Sequence, residues 1–278
     1  MAQPTPHSQA EATLDPHLRP EAIRALAAAG PIECLTLGYG RLLDARRAKR
    51  LHALPPTRRL WLLGRTTRAA IRQIACIPGL ETLDVMQLCG PGAVSGLGDA
   101  ATLRTLRING WLHARDLRGI GACPSIETLG AQGAGLTPRA LDALLAMPRL
   151  RNLDLEGTDF DDAMAARVSR SATLEWLELG ATRLTRSGLA HLVRMPGLRG
   201  LDLWATPITE ADCALLCELP MLEYVSLGGY DGAPLDGAKL LPLLLAMPAL
   251  KWVWLDGVRL DAGQIATLEA RFDSVRIS

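Results

Sequence analysis

Residues 150–158 read LRNLDLEGT, residues 174–182 read LEWLELGAT and residues 198–206 read LRGLDLWAT. One pattern runs through them: an apolar residue, two variable ones, an apolar residue, one variable, and an apolar residue. It occurs at Leu150, Leu153 and Leu155, then from Leu174, Leu198 and Leu222, with a period of 24 residues. A further copy from Leu250 follows after 28 residues, the extra four lying near the glycine-rich GGYDGAPLDG. Upstream copies start at Ile32, Thr57, Leu80, Leu103 and Ile126, spaced 23 to 25 apart, and Phe272, Val275 and Ile277 make the last. Eleven strand-like copies thus cover residues 32–277.

Alternate residues of a strand point the same way, so Leu153 and Leu155 give each copy one apolar face. The stretch after each strand carries apolar residues at helical spacing, as in Leu184, Leu189, Leu192 and Val193. One such unit cannot bury both faces alone, whereas stacked copies can. Proline sits two residues before the strand in seven copies (Pro55, Pro78, Pro124, Pro148, Pro196, Pro220, Pro248), where it stops the helix and sets an extended entry. Thr158, Thr182 and Thr206 follow the strand, and their hydroxyls are expected to satisfy backbone groups in the turn.

The pattern L-x-x-L-x-L-x-x-T in these stretches resembles the leucine-rich repeats. The segments LTRSGLAHLVRMPG and ITEADCALLCELP look like the helical convex part of the ribonuclease-inhibitor-like class. The resemblance implies an α/β solenoid, a curved horseshoe with a parallel sheet on the concave face and helices or 3₁₀ turns on the convex one. It also implies a module that binds proteins.

Charge checks the register. The residue after each copy's first position reads Glu33, Arg58, Glu81, Arg104, Glu127, Arg151, Glu175, Arg199, Glu223, Lys251 and Asp273, alternating in sign throughout. Parallel strands place equivalent residues about 4.8 Å apart, so each charge falls beside opposite ones. Exposed pairs each contribute little, about 0–1 kcal/mol, but a ladder of them disfavours slippage by one repeat.

With that register, outward positions of the C-terminal half include Asp154, Glu156, Trp176, Glu178, Asp202, Trp204, Tyr224, Trp252 and Trp254, and these are the candidate partner-binding residues. Five of the six tryptophans (61, 176, 204, 252, 254) take outward strand positions in a chain only 4% aromatic. Exposed Trp and Tyr are the stuff of binding hot spots. Asp154, Glu178 and Asp202 repeat one position in three successive copies, and like charges so stacked repel. A basic, Arg- or Lys-bearing partner segment would relieve that repulsion. Two plainer readings stand beside it: large aromatics covering a sheet, and a solvated acidic strip. Outward positions of the N-terminal half are small or mixed (Thr36, Thr82, Thr105, Thr128, Gly130, Arg59, Trp61). The glycine-rich stretch 89–135 predicts irregular or 3₁₀ connections.

Composition agrees with a packed chain: 49% hydrophobic, 21% charged, formal net charge +1. No basic block calls for nucleic acid or an anionic membrane, and no apolar run reaches membrane length. The first residues show no secretory signal. Only three of the 30 basic residues are lysine, which fits a GC-rich, bacterial origin. The six cysteines form no C-x-x-C pair and read as free thiols of a cytoplasmic protein. The stretch GPGAVSGLG (Gly90–Gly98) lacks the G-K-[S/T] of a phosphate loop and reads as a repeat-connecting turn. The scattered histidines accompany no nucleophile motif. No enzyme activity, cofactor or metal is expected.

One domain is predicted: a disordered tail over 1–18, then a leucine-rich-repeat domain over 19–278 with a capping helix at 20–30. The last strand leaves an open edge, so a monomer or an edge-to-edge dimer is expected. The function read from this is a non-enzymatic protein–protein interaction module. The alternative is a bacterial effector exported to a host cell, as an enzyme inhibitor or a ubiquitin-ligase substrate adaptor. LDPHLRPEAIRAL (14–26) resembles the start of an F-box, which some similar bacterial repeat proteins use, but the residues before Ile32 are too few for its three helices.

Overall fold

The computed structural model describes residues 9–15, 17–91, 93–94, 96–110, 112–133, 135–229 and 234–278. They pack as two compact units, residues 1–150 and 151–278. In the first unit, parallel strands follow chain order: β1 (Gln9–Leu14), β2 (Ile32–Leu37), β3 (Thr57–Thr67), β4 (Thr82–Cys89), β5 (Thr105–Ile108) and β6 (Thr128–Gly130). Between them run α1 (Pro20–Ala29), α2 (Ala45–Ala48), α3 (Arg68–Ile74) and α4 (Ala114–Gly121), and α5 (Pro138–Leu145) follows β6.

The second unit repeats the scheme. Its strands β7 (Asn152–Asp154), β8 (Trp176–Glu178), β9 (Gly200–Leu203) and β10 (Tyr224–Gly228) pair in turn, each parallel to the last. A small two-stranded ladder joins β11 (Leu235–Asp236) to β13 (Val258–Arg259). The main sheet continues from β10 to β12 (Trp252–Asp256) and ends on β14 (Ser274–Ile277). The helices are α6 (Asp162–Val168), α7 (Arg186–Leu192), α8 (Glu210–Cys213), α9 (Gly237–Ala246) and α10 (Ala262–Arg271).

All eleven copies read from the sequence are strands, and their apolar positions stack as predicted. Leu153, Leu177, Leu201, Val225, Val253 and Val275 pair in one row. Leu155, Leu179, Leu203, Leu227 and Leu255 are all buried. Burying each such side chain stabilises by roughly 1.5–3 kcal/mol. The helices close the other side with Leu189, Leu192, Leu240, Leu244 and Leu268. The hydroxyls of Thr158, Thr182 and Thr206 donate to the carbonyls of Leu155, Leu179 and Leu203 at 2.7, 2.7 and 2.6 Å, as their place in the turn predicts.

The charge ladder is formed. Arg58 reaches Glu33 at 3.1 Å and Glu81 at 2.7 Å, and Arg104 reaches Glu127 at 2.7 Å. In the second unit Arg151 pairs with Glu175, Arg199 lies 2.6 Å from Glu223, and Lys251 lies 3.5 Å from Glu223.

Two expectations change. Gln9–Leu14 is a strand rather than part of a disordered tail, with Leu14 opposite Leu37 in β2. Leu14 and Leu18 are buried, and that burial offsets the ordering of a segment whose composition is polar. Residues 1–8 of the predicted tail lie outside the described residues. Among the described residues of the glycine-rich stretch the connections are irregular or, at Leu97–Asp99, a 3₁₀ turn as expected, but α4 is a regular helix of 8 residues. Its regularity has a cause. Asp116 caps α4 by accepting from His113 N at 2.8 Å, accepts from Val94 N at 3.1 Å, and meets the Arg68 guanidinium of α3 at 2.9 Å. That ion pair is buried, and Arg68 also donates to the Gly90 carbonyl at 2.6 Å. Within GPGAVSGLG, Gly90 and Val94 are thus tied to a buried charge pair, and Gly92 and Ser95 lie outside the described residues. The helix predicted at 20–30 is α1, stopped at Gly30 with φ of 97°, while the strand paired with β2 on that side is β1.

Candidate functional site

On the second unit's sheet the outward side chains form rows. One row runs Asn152, Trp176, Gly200, Tyr224, Trp252, and the next runs Asp154, Glu178, Asp202, Ser226, Trp254, Arg276. A third follows two residues further along the chain: Glu156, Gly180, Trp204, Gly228, Asp256. Glycine recurs in these rows for a steric reason. A Cβ at Gly200 would come within 2.0 Å of the Trp176 ring, and one at Gly228 within 2.4 Å of the Trp204 ring. Each indole therefore lies over the glycine of the following strand. Trp176 thereby crosses β9 to meet Tyr224, ring centroids 5.7 Å apart and tilted by 30°. Trp204 crosses β10 and donates from Nε1 to Asp256 Oδ2 at 2.6 Å.

The result is a concavity of about 450 Å³ lined by Glu156, Trp176, Glu178, Asp202, Trp204, Tyr224, Ser226, Trp254 and Asp256. Seven of the nine residues predicted from the sequence converge there. Asp154 and Trp252 stand outside its lining, with Lys251 Nζ 5.7 Å from the Trp252 ring. Ser226 and Asp256 complete the site and were not singled out by sequence reasoning. Asp256 was legible, because it holds the same place in its copy as Glu156 and Trp204.

The carboxylates have two jobs. Asp154 Oδ1 accepts from Glu156 N at 3.0 Å, and Asp202 Oδ1 accepts from Trp204 N at 2.8 Å, so each fixes the end of its strand. Just beyond, Ala181 and Ala205 adopt left-handed backbone at φ of 52° and 51°, where Gly157 and Gly257 sit in their copies. Burial sets the electrostatics of the cluster, and like charge adds to it. Burial pushes the Asp202 carboxyl up, and Asp154 adds to it. Burial also pushes Glu156 up, with Asp154 and Asp202 contributing. The Tyr224 hydroxyl is pushed up to about 12 by burial and then by Asp202. No basic side chain lines the concavity, among the described residues. Arg276 lies beside it, its guanidinium carbon 4.5 Å above the Trp254 ring. Trp254 Nε1 is buried and has no hydrogen-bond partner among the described residues.

The first unit holds its own hollow, about 570 Å³, lined by Arg59, Trp61, Leu63, Thr82, Asp84, Met86, Thr105 and Arg107. Sequence reasoning placed Arg59, Trp61, Thr82 and Thr105 outward there without making them a site. Here cations and carboxylate compensate: Arg107 lies 3.6 Å from Asp84, and Arg59 lies 3.8 Å from Glu33. The described residues include no group of His, Cys, Asp and Glu suited to a metal ion. Cys213 is buried and its thiol is pushed up to about 12 by that burial, which makes it a poor nucleophile. Among the described residues no helix is long and apolar enough to cross a membrane.

No family model matches the chain, and no curated protein matches it in sequence. Solved structures do. An internalin (inlF) of Listeria monocytogenes is similar at a TM-score of 0.54 and 16% identity, over 89% of this chain and 68% of that one. A chain from the Rad7 and Elc1 complex in yeast is similar at a TM-score of 0.55 and 15% identity, over 93% of this chain and 81% of that one. By its repeat period, its parallel strands and these neighbours, the fold is that of a leucine-rich-repeat solenoid.

Proposed function

We propose that this chain is a non-enzymatic protein–protein interaction module, of the ribonuclease-inhibitor-like class of leucine-rich repeats, that holds a basic segment of a partner protein on the sheet of its second unit. The observation that carries this reading is the convergence of four aromatic rings and four carboxylates in one open concavity. Interface energy concentrates in aromatic anchors within such pockets, and the surplus negative charge selects a cationic partner. A neighbour taken from a two-protein complex favours a protein partner over a small ligand. Work in the cytoplasm of a bacterium suits the free thiols and the lysine-poor composition. Among the described residues β14 pairs on one side, with β12, and a monomer or a dimer formed through its other side belongs to this reading.

The test is affinity capture with the wild-type chain and with a Trp204→Ala/Trp254→Ala variant. A protein retained by the first and lost by the second supports the reading. Equal retention by both would move the site off this face.

A further inference from the structure

We infer that the concavity of the second unit is a receptor for an arginine side chain, taking its guanidinium against the indoles with carboxylates around the edge. The inference rests on the interaction-module reading and narrows the partner to one recognisable group.

Three observations point to guanidinium. The first is the disposition of the walls. Trp176 and Tyr224 stand on one side, Trp204 on the other and Trp254 at the end, while Glu178 and Asp202 occupy the row between. A planar cation can stack on a ring while its edge donates to carboxylates, and guanidinium alone among side-chain cations is planar with five donors. The second is the charge. Glu156, Glu178, Asp202 and Asp256 all line the hollow, and among the described residues no cation does. The third is a precedent on the same surface. Arg276 of β14 lies over Trp254 of β12 at 4.5 Å, so a neighbouring ring already holds a guanidinium, supplied by the chain itself. Among the described residues no cation from the chain stands over Trp176 or Trp204 in this way. The glycines at 200 and 228 keep those indoles lying across the sheet. A compact, strongly hydrated ammonium gains less from such a surface, because it must shed more water to stack.

The experiment uses the full chain and three nine-residue Gly/Ser peptides. They carry at their centre either two arginines, two lysines or two citrullines, the last being a neutral relative of arginine. Calorimetric titration at low salt is expected to show the arginine peptide binding at least about five-fold more tightly than the lysine peptide, with no binding of citrulline. Glu178→Gln and Trp204→Leu are each expected to weaken the arginine peptide by about five-fold or more. Circular dichroism confirms the folding of both variants. Equal binding of arginine and lysine peptides overturns the inference, since charge alone would then suffice. Undiminished binding by both variants, or no binding of the arginine peptide up to millimolar concentration, overturns it as well. The broader reading fails separately. A captured protein lost by the double tryptophan variant, yet held equally after its arginines are changed to lysine, keeps the interaction module and ends the arginine receptor.

Discussion

Replacing Asp116 with alanine should be among the most damaging single changes in the first unit. Its carboxylate is fully buried and receives the Arg68 guanidinium at 2.9 Å, His113 N at 2.8 Å and Val94 N at 3.1 Å. Removing one member of a buried ion pair leaves the other charge without compensation, which costs about 3–5 kcal/mol. The two stranded N–H groups would each cost about 1–3 kcal/mol if nothing replaced the carboxylate. These losses overlap, so about 4 kcal/mol is the expected total, against a stability of about 5–15 kcal/mol for a whole domain. Urea unfolding followed by tryptophan fluorescence reads this as a fall in midpoint at unchanged slope. The double variant Arg68→Met/Asp116→Leu removes both charges together and should recover the ion-pair part of the loss, because no charge is left buried, while His113 N and Val94 N stay without their acceptor. A loss below about 1 kcal/mol for Asp116→Ala, or a double variant no better than the single one, would refute the reasoning.

The second unit yields three further expectations. Burial raises the Asp202 and Glu156 carboxyls, so a cationic ligand should bind less well as pH falls, beginning above the ordinary carboxylate range. Calorimetry in buffers of different ionisation enthalpy should show protons released on binding. Asp202→Asn should leave the fold at least as stable as wild type at neutral pH, since Asn still offers an oxygen to Trp204 N. The sign follows from the raised pKa: the native protein holds the Asp202 proton more tightly than the unfolded chain, so wild type gains on acidification and the difference should close as pH is lowered. Thermal unfolding across pH checks this, and a gap that widens in acid would contradict it. Ala205→Gly should raise stability by about 0.5–1 kcal/mol, because a left-handed alanine costs more than the extra freedom of glycine in the unfolded chain. Denaturant midpoints test it, and a destabilised Ala205→Gly protein would show that the turn carries no strain.

The repeat, its register and its outward face were legible in the chain because they are carried by local signals. Strand alternation has a period of two and the repeat returns every 24 residues in its central copies, so Leu153, Leu177 and Leu201 announce one buried row wherever the chain is read. The alternating Glu33 to Asp273 series confirmed the same register from charge. From these, seven of the nine residues around the concavity could be named. What tertiary structure alone decided is where the side chains lie and whom they meet. Trp176 reaches Tyr224 only because residue 200 lacks a Cβ, and Trp204 finds Asp256, 52 residues away, only across Gly228. Arg68 and Asp116, 48 residues apart, show nothing of their pairing in the period, since a buried charge pair depends on the exclusion of water around both groups. The strand at Gln9–Leu14 was hidden for a related reason: its polar composition resembles a free tail, and only the edge of β2 and the burial of Leu14 make its order worth the entropy. Sequence periodicity determines which face a residue joins. Packing across neighbouring repeats determines what that face can hold.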